Sequence, residues 1–454
     1  MVELDCLGDM CPVPVMKLQE CTRLQNAGES VKLITDHSCT VESVRNFCQT
    51  HKLLLAVVEP INGIWELTVT KPESGVTTPE AGVPFYARYH AEDEAACMTE
   101  CLAGSLSSEG DFSRRAGDLY RELTGTEHIL FTPSCSAALE LGLRSVGFSS
   151  GDEIIVPSYN FPSAANAVLA VGATPVFCDV DEATQNISPE SFAAAITSRT
   201  KAVIPVHYAG VAADMQRILK ISEQAGLLVM EDAAQCVDAT WNKKPLGTIG
   251  NLGAVSFHAT KNVTCGEGGA LILRDGQLWE QARICRMHGT DRDRFLHGEC
   301  DRYTWQDGGS CYILSEPSSC LLYTQLSHVN EITGKRLQIA KSYDQALQEL
   351  EQKGVLQRMQ VPAYAGYNGH LYYILLENQS WRDGAMAHLA DAGIDAKTHY
   401  VPLHASPMGE RLGYRENSLP NSMRTYQTLL RLPIHTQMSP SAAFHIAEIL
   451  SDYL

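Results

Sequence analysis

The chain lacks any run approaching the roughly 20 apolar residues that a membrane-spanning helix requires, so no such span is expected. It is also short of positive charge. Lysine and arginine number 35 against 53 aspartates and glutamates, a formal net charge of −18. Binding a nucleic-acid backbone needs basic patches, and none is evident, so no nucleic-acid partner is expected. An anionic small molecule stays compatible with this balance, because it needs only a few local donors. No CxxC pair recurs, which argues against zinc. The opening residues, Met1–Val2–Glu3–Leu4–Asp5, are acidic and lack the basic and then apolar pattern of a secretory signal. The fifteen cysteines are odd in number and scattered. Free thiols in a reducing cytoplasm are the expectation, not a disulfide framework.

What remains is an ordinary globular composition, 44% hydrophobic over 454 residues, long enough for two or three domains. Residues 1–72 have a βαβαββ rhythm: strands at 2–7 and 30–37, helices at 12–26 and 40–51, and a closing strand pair at 52–59 and 63–71. Residues 72–82 then form a polar stretch with two prolines and two glycines, of which 73–82 reads as a linker. From 83 the rhythm changes to seven short apolar runs, at 128–132, 153–157, 174–179, 202–207, 227–231, 254–257 and 270–273. Amphipathic stretches such as 137–146 and 215–224 lie between several of them. This is the layout of an α/β domain, 83–320, with a mainly parallel seven-stranded sheet covered by helices. A long helical stretch at 321–350 then leads into a smaller α/β lobe, 321–454.

The most informative pattern is an acid and a lysine at the ends of two of these strands. The run Val229–Met230–Glu231–Asp232–Ala233–Ala234–Gln235 places an acid at a strand C-terminus, and Ser256–Phe257–His258–Ala259–Thr260–Lys261 follows a second strand with one lysine. Pyridoxal phosphate needs that pair. A lysine amine forms the imine, and a carboxylate keeps the pyridine nitrogen protonated so that the ring can accept electrons. A phosphate site is also readable in Thr132–Pro133–Ser134–Cys135–Ser136–Ala137, where small hydroxyl residues precede a helix whose free N–H groups suit an anion. Ser256 is a second candidate phosphate donor.

In the first domain, Cys11–Pro12–Val13–Pro14 sits at a strand-to-helix junction. Proline is tolerated at a first helical position. Cys11 therefore falls at a helix N-terminus, where a thiolate or persulfide is stabilised. With Asp5, Gly8, Gly28–Glu29, Thr35–Asp36 and Phe47–Cys48, this segment resembles the TusA/SirA sulfur carriers over essentially all of residues 1–72. The resemblance implies that Cys11 carries a persulfide, supplied by a cysteine desulfurase or another sulfur-relay protein. Asp9 departs from the apolar residue usual there. Cys6 is a candidate to resolve a persulfide, though a small core residue is the simpler reading.

Residues 83–454 resemble the DegT/DnrJ/StrS family of sugar-nucleotide aminotransferases, most closely its dTDP-4-amino-4,6-dideoxygalactose transaminases. The likeness rests on residues 132–140, 151–160 (GDEIIVPSYN), 206–211 (VHYAGV), 231–235, 246–250 (LGTIG), 266–269, 303–305 and 399–404. It implies a fold-type I PLP enzyme that works as a homodimer on a sugar nucleotide with an amino acid donor. Under it Lys261 is the imine-forming and proton-shuttling residue and Asp232 pairs with the pyridine nitrogen. Gln235 lies by the ring hydroxyl, Phe161 stacks on the ring, and Cys135, Ser136 and Ser256 hold the phosphate. A branch of the family that dehydrates sugars has histidine in place of the lysine; retention of Lys261 favours amino transfer. Departures fall at Tyr86–Ala87–Arg88, at Pro317–Ser318–Ser319–Cys320 and at 309–312, where the asparagine that commonly reaches the partner's phosphate is replaced.

Two activities follow as expectations. One is amino transfer from glutamate, or another amino acid, to a 4-keto-6-deoxyhexose nucleotide. The other is sulfur insertion, in which the Cys11 persulfide serves the PLP site to make a thio-sugar or related product. Covalent fusion raises effective concentration, although the linker of roughly eleven residues spans only ~20 Å on average.

Overall fold

The computed structural model describes residues 2–9, 13–24, 29–51, 53–61, 63–71, 82–106, 109–296 and 298–454. Cys11 and most of the expected linker lie outside the described residues. The chain divides into two compact units, Met1–Gly82 and Val83–Leu454.

In the first unit, four strands lie in the order Val2–Asp5, Ser30–Thr35, Ile64–Thr70, Leu54–Ile61, with only the first pair parallel. Alternation in Ser30–Thr35 sends Val31, Leu33 and Thr35 inward, as a half-buried strand requires. Helices Val13–Leu24 and Ser38–His51 contribute Leu18, Val44 and Cys48 to one small core. Cys6 is part of that core and fully buried, and burial raises its thiol pKa.

In the second unit a seven-stranded sheet runs Ile129–Thr132, Gly269–Leu273, Leu252–Ser256, Leu228–Ala233, Thr200–Val203, Glu153–Pro157, Thr174–Cys178. Gly269–Leu273 is the one antiparallel member, pairing that way with both neighbours. Glu153–Pro157 and Leu252–Ser256 are buried at every residue, as strands covered on both faces must be. Each of the seven apolar runs read from the sequence overlaps one of these strands, although 202–207 shares only its first two residues with Thr200–Val203. The Cys135–Val146 helix packs against the sheet. It starts where the Ser134 side chain accepts a hydrogen bond from Ala137 N at 3.1 Å, and ends at Gly147 in the left-handed conformation.

The helical stretch expected at 321–350 consists of three helices that follow one another: Glu316–Ser327, Val329–Ala346 and Gln348–Gln352. The expected domain boundary at 320 falls inside the first of them, and Val83–Leu454 is one compact unit. His328 ends the first helix with non-helical backbone angles, and its ring is held by Asp93 at 3.4 Å and Glu331 at 3.7 Å. A small antiparallel sheet of Gln357–Arg358, Tyr372–Leu375 and Leu429–Leu432 then packs with Val329–Ala346, Gln379–Asp391 and Pro440–Tyr453 around a second core containing Tyr343, Tyr373 and Leu430. Among the described residues no helix is long and apolar enough to cross a membrane, and no cluster of metal-ligating side chains occurs.

Candidate active site

The C-terminal ends of the parallel strands converge on a cavity of about 670 Å³, the place where open α/β sheets bind ligands. Leu228–Ala233 delivers Asp232 to it, fixed by Asp232 N donating to Pro205 O at 2.9 Å and His207 N donating to Asp232 O at 3.2 Å. The carboxylate accepts from Ala234 N at 3.2 Å and Asn160 Nδ2 at 3.4 Å. It is 6% exposed, and burial raises its pKa. Its neighbour Glu231 points the other way and is fully buried. Glu231 accepts from Gly247, Ile249 and Gly250 N–H groups and from His207 Nε2, at 2.6 to 3.0 Å, which anchors the strand end.

Lys261 reaches the same cavity from the turn after Leu252–Ser256. The turn is held by Lys261 N donating to His258 O at 2.9 Å and by Tyr86 Oη donating to the Ala259 carbonyl. Burial lowers the amine's pKa and so favours its neutral, nucleophilic form. His258 lies at the cavity edge with Nε2 3.5 Å from Glu267.

At the other end lies the start of the Cys135–Val146 helix. Gly269 lies against it so closely that a Cβ there would sit 2.4 Å from Ser134 C and 2.5 Å from Cys135 N. Only a residue without a side chain lets this strand, paired with Thr132 and Ser256, hold the helix start in place. Ser136 Oγ is 2.6 Å from Ser163 Oγ, so its hydroxyl is engaged with a neighbour. Ser256 is buried, with Oγ accepting from His258 N at 3.3 Å. Cys135 is buried against Asp232 and Lys261, and burial pushes its thiol well above the usual range. Gln235 Oε1 accepts from Ala209 N at 2.6 Å. Phe161 stands at the mouth, 57% exposed, its ring centroid 6.2 Å from that of Tyr400.

All seven residues singled out in this unit, Cys135, Ser136, Phe161, Asp232, Gln235, Ser256 and Lys261, therefore line one cavity. Asn160, Arg336, His370, Lys397 and Arg431 also line it and were not singled out from the sequence. Asn160 ends the string GDEIIVPSYN beside Phe161, while the other four come from segments far apart in the chain that no local pattern marks.

The donor set fits pyridoxal phosphate. Asp232 is a buried carboxylate with no cation within ion-pair distance among the described residues, and a pyridinium would supply that countercharge. The Lys261 amine has no hydrogen-bond partner among the described residues. The helix start offers backbone N–H groups to a phosphate. Asp232, Lys261 and this helix start would hold the group, the last through its phosphate.

Comparison with known proteins agrees with this chemistry. Residues 88–451 match the model of the DegT/DnrJ/EryC1/StrS aminotransferase family, and residues 2–71 match that of Sulfurtransferase TusA. The spore coat polysaccharide biosynthesis protein SpsC of Bacillus subtilis (strain 168) is 32% identical over 378 residues, covering 82% of this chain and 96% of SpsC. The structure of S. venezuelae DesV in complex with a ketimine intermediate is 30% identical, with a TM-score of 0.73, covering 80% of this chain and 94% of that one. The aminotransferase TlmJ from Streptoalloteichus hindustanus is 28% identical, with a TM-score of 0.75, covering 82% and 98%.

Proposed function

The chain belongs to the DegT/DnrJ/EryC1/StrS aminotransferase family and is a PLP-dependent transaminase, and on that premise we propose that it moves the amino group of glutamate, or another amino acid, to a keto-sugar nucleotide. The acceptor we assign is a 4-keto-6-deoxyhexose nucleotide, the substrate of dTDP-4-amino-4,6-dideoxygalactose transaminases. The working form is a cytoplasmic homodimer. The observation that carries the reading is the meeting of Lys261 and Asp232 in one cavity with the Ser134–Ser136 helix start.

Bound pyridoxal phosphate supplies an electron sink for the carbon that loses its proton. Asp232 would keep the proton on the pyridine nitrogen, which its burial makes effective because the opposing charges attract strongly away from water. Lys261 would hold the cofactor, and its Nζ would move the proton at the substrate carbon that exchanges the amino group. Gln235, fixed by Ala209 N, would orient the ring through its hydroxyl. Phe161 would stack on the ring, and Cys135, Ser136 and Ser256, which line the same cavity, would hold the phosphate.

A second reading is supported by the match of residues 2–71 to the sulfur-carrier model. Here Cys11 carries a persulfide from a desulfurase to an intermediate at the PLP site. Mass spectrometry of the product separates the two. Purified protein is incubated with a 4-keto-6-deoxyhexose nucleotide, PLP, glutamate and a persulfide-generating desulfurase. An amino sugar whose yield is indifferent to Cys11→Ser is the expected result. A sulfur-bearing product that disappears in Cys11→Ser would replace the first reading with the second.

A further inference from the structure

His370 is a buried base in this cavity that the chemistry above leaves unused. It is 5% exposed and lines the cavity together with Lys261. The amides that hold it fix where its proton sits. Asn368 Nδ2 donates to the Gln235 and Val237 carbonyls at 2.9 and 2.8 Å, which leaves Asn368 Oδ1 to accept from His370 N at 3.1 Å. Asn262 Nδ2 donates to the Asn368 carbonyl at 3.0 Å, and a carbonyl can only accept. Asn262 therefore turns its own carbonyl oxygen to the ring, and His370 Nδ1, 3.0 Å away, must carry the hydrogen. Burial keeps the imidazole neutral, with the Lys261 and Arg336 charges acting in the same direction. One proton on Nδ1 leaves Nε2 a bare acceptor. That atom has no partner among the described residues and is not sealed from the cavity.

A buried acceptor facing a ligand cavity requires a donor, and the two substrates differ in what they offer. Asn262 follows Lys261 directly in the chain. The 3.0 Å bond to Asn262 thus ties the ring to the neighbour of the residue that works on the reacting carbon. In glutamate that carbon bears a carboxylate, a hydrogen and a methylene once its nitrogen is engaged, and none of these donates a hydrogen bond at neutral pH. In a 4-keto-6-deoxyhexose the ketone is flanked by a carbon bearing a hydroxyl and by one bearing the ring oxygen and the methyl group. The hydroxyl is the donor that suits Nε2.

We propose that His370 reads the hydroxyl beside the ketone, its Nε2 accepting that hydrogen, so that the site selects sugars hydroxylated next to the reacting carbon. The proposal rests on the keto-sugar reading above, and its test separates the two. The 4-keto-6-deoxyhexose nucleotide and its 3-deoxy analogue are each mixed with the pyridoxamine form, and the half-reaction is followed by absorbance. Wild type is compared with His370→Asn and His370→Gln, each shown by its visible spectrum to hold cofactor. Asparagine keeps an N–H near the Nδ1 position for Asn262 and places nothing at Nε2. Glutamine reaches the Nε2 position with a carbonyl oxygen and gives up the Nδ1 contact. In wild type kcat/KM is expected to fall about 10- to 100-fold when the hydroxyl is removed, the cost of one unmade hydrogen bond at a buried acceptor. His370→Asn is expected to lose that preference and His370→Gln to keep part of it.

A histidine needed only for its bond to Asn262 predicts the reverse: the preference intact in His370→Asn, and both nucleotides slowed together in His370→Gln. That pattern, or a wild type that treats the two nucleotides alike, overturns the proposal and leaves the keto-sugar reading standing. A wild type that reacts with glutamate but with neither nucleotide overturns the keto-sugar reading and the proposal with it. The tautomer is checked without any sugar, by nitrogen-15 resonance of histidine-labelled, PLP-loaded protein with His370→Asn to assign the ring. A protonated Nδ1 beside a bare Nε2 is the expected result, and a protonated Nε2 overturns the proposal.

Discussion

Replacing Gly269 with alanine tests the phosphate cradle through a residue that carries no functional group. The added Cβ would sit 2.4 Å from Ser134 C, 2.5 Å from Cys135 N and 2.6 Å from Ser134 O, all backbone atoms. Ordinary contact needs about 3.4 Å, and close packing leaves no slack to absorb the difference. The helix start must therefore retreat by about 1 Å. A hydrogen bond of about 2.9 Å to a phosphate oxygen becomes one near 3.9 Å, which is no longer a bond. Bonds to a charged group contribute about 1.5–3 kcal/mol each, so loss of two weakens PLP binding by about 3–6 kcal/mol, roughly 10²- to 10⁴-fold. The assay is equilibrium titration of the apoprotein with PLP, read by the visible absorbance of bound cofactor and paired with a thermal melt. Gly276→Ala, whose added Cβ meets nothing within 4 Å, serves as the control and binds PLP like the wild type. A Gly269→Ala protein that folds and binds PLP with unchanged affinity would show that the helix start does not hold the phosphate.

Asp232→Asn keeps the shape of the side chain and removes its charge, so single-turnover conversion with glutamate is expected to slow by about 10- to 100-fold while cofactor is retained. An unchanged rate would take the pyridine nitrogen away from Asp232. His435 gives a pH signature. It is 3% exposed, its Nε2 donates to Pro84 O at 3.1 Å, and burial pushes its pKa down to about 4. The unfolded chain, with a histidine pKa of about 6.5, therefore binds more protons between those values. Stability contributed by neutral His435 is complete above about pH 6.5 and declines as pH falls toward 4. At pH 5 the loss is about 2 kcal/mol. His435→Gln should show a smaller drop in thermal midpoint from pH 7 to pH 5 than the wild type, and an equal drop would refute the assignment.

Much of this architecture was legible because strands buried on both faces leave short continuous apolar runs. Residues 153–157 and 270–273 carry no polar alternation to confuse them with surface strands, and they sit in the sheet. The acid and the lysine were legible for a local reason, since Asp232 lies at the C-terminal end of one strand and Lys261 five residues beyond the end of its neighbour. The helical stretch at 321–350 was legible, but the break within it was not, because nothing local marks it. His328 is neither glycine nor proline, and its ring lies 3.4 Å from Asp93 and 3.7 Å from Glu331. Arg431 and Lys397 were invisible for a similar reason: only the bridge between distant segments brings them together. Tyr86 stood out in the sequence as a departure, but its bond to the Ala259 carbonyl beside Lys261 required the fold.

The measurement that bears most directly on the central claim is the visible spectrum of the PLP-loaded protein before and after Lys261→Ala. The wild type is expected to show the absorbance of cofactor bound to lysine and to lose it on addition of glutamate. The Lys261→Ala protein is expected to show neither the band nor the change. A band that persists in Lys261→Ala would mean that this lysine is not the cofactor's anchor, and the account of the site would fall.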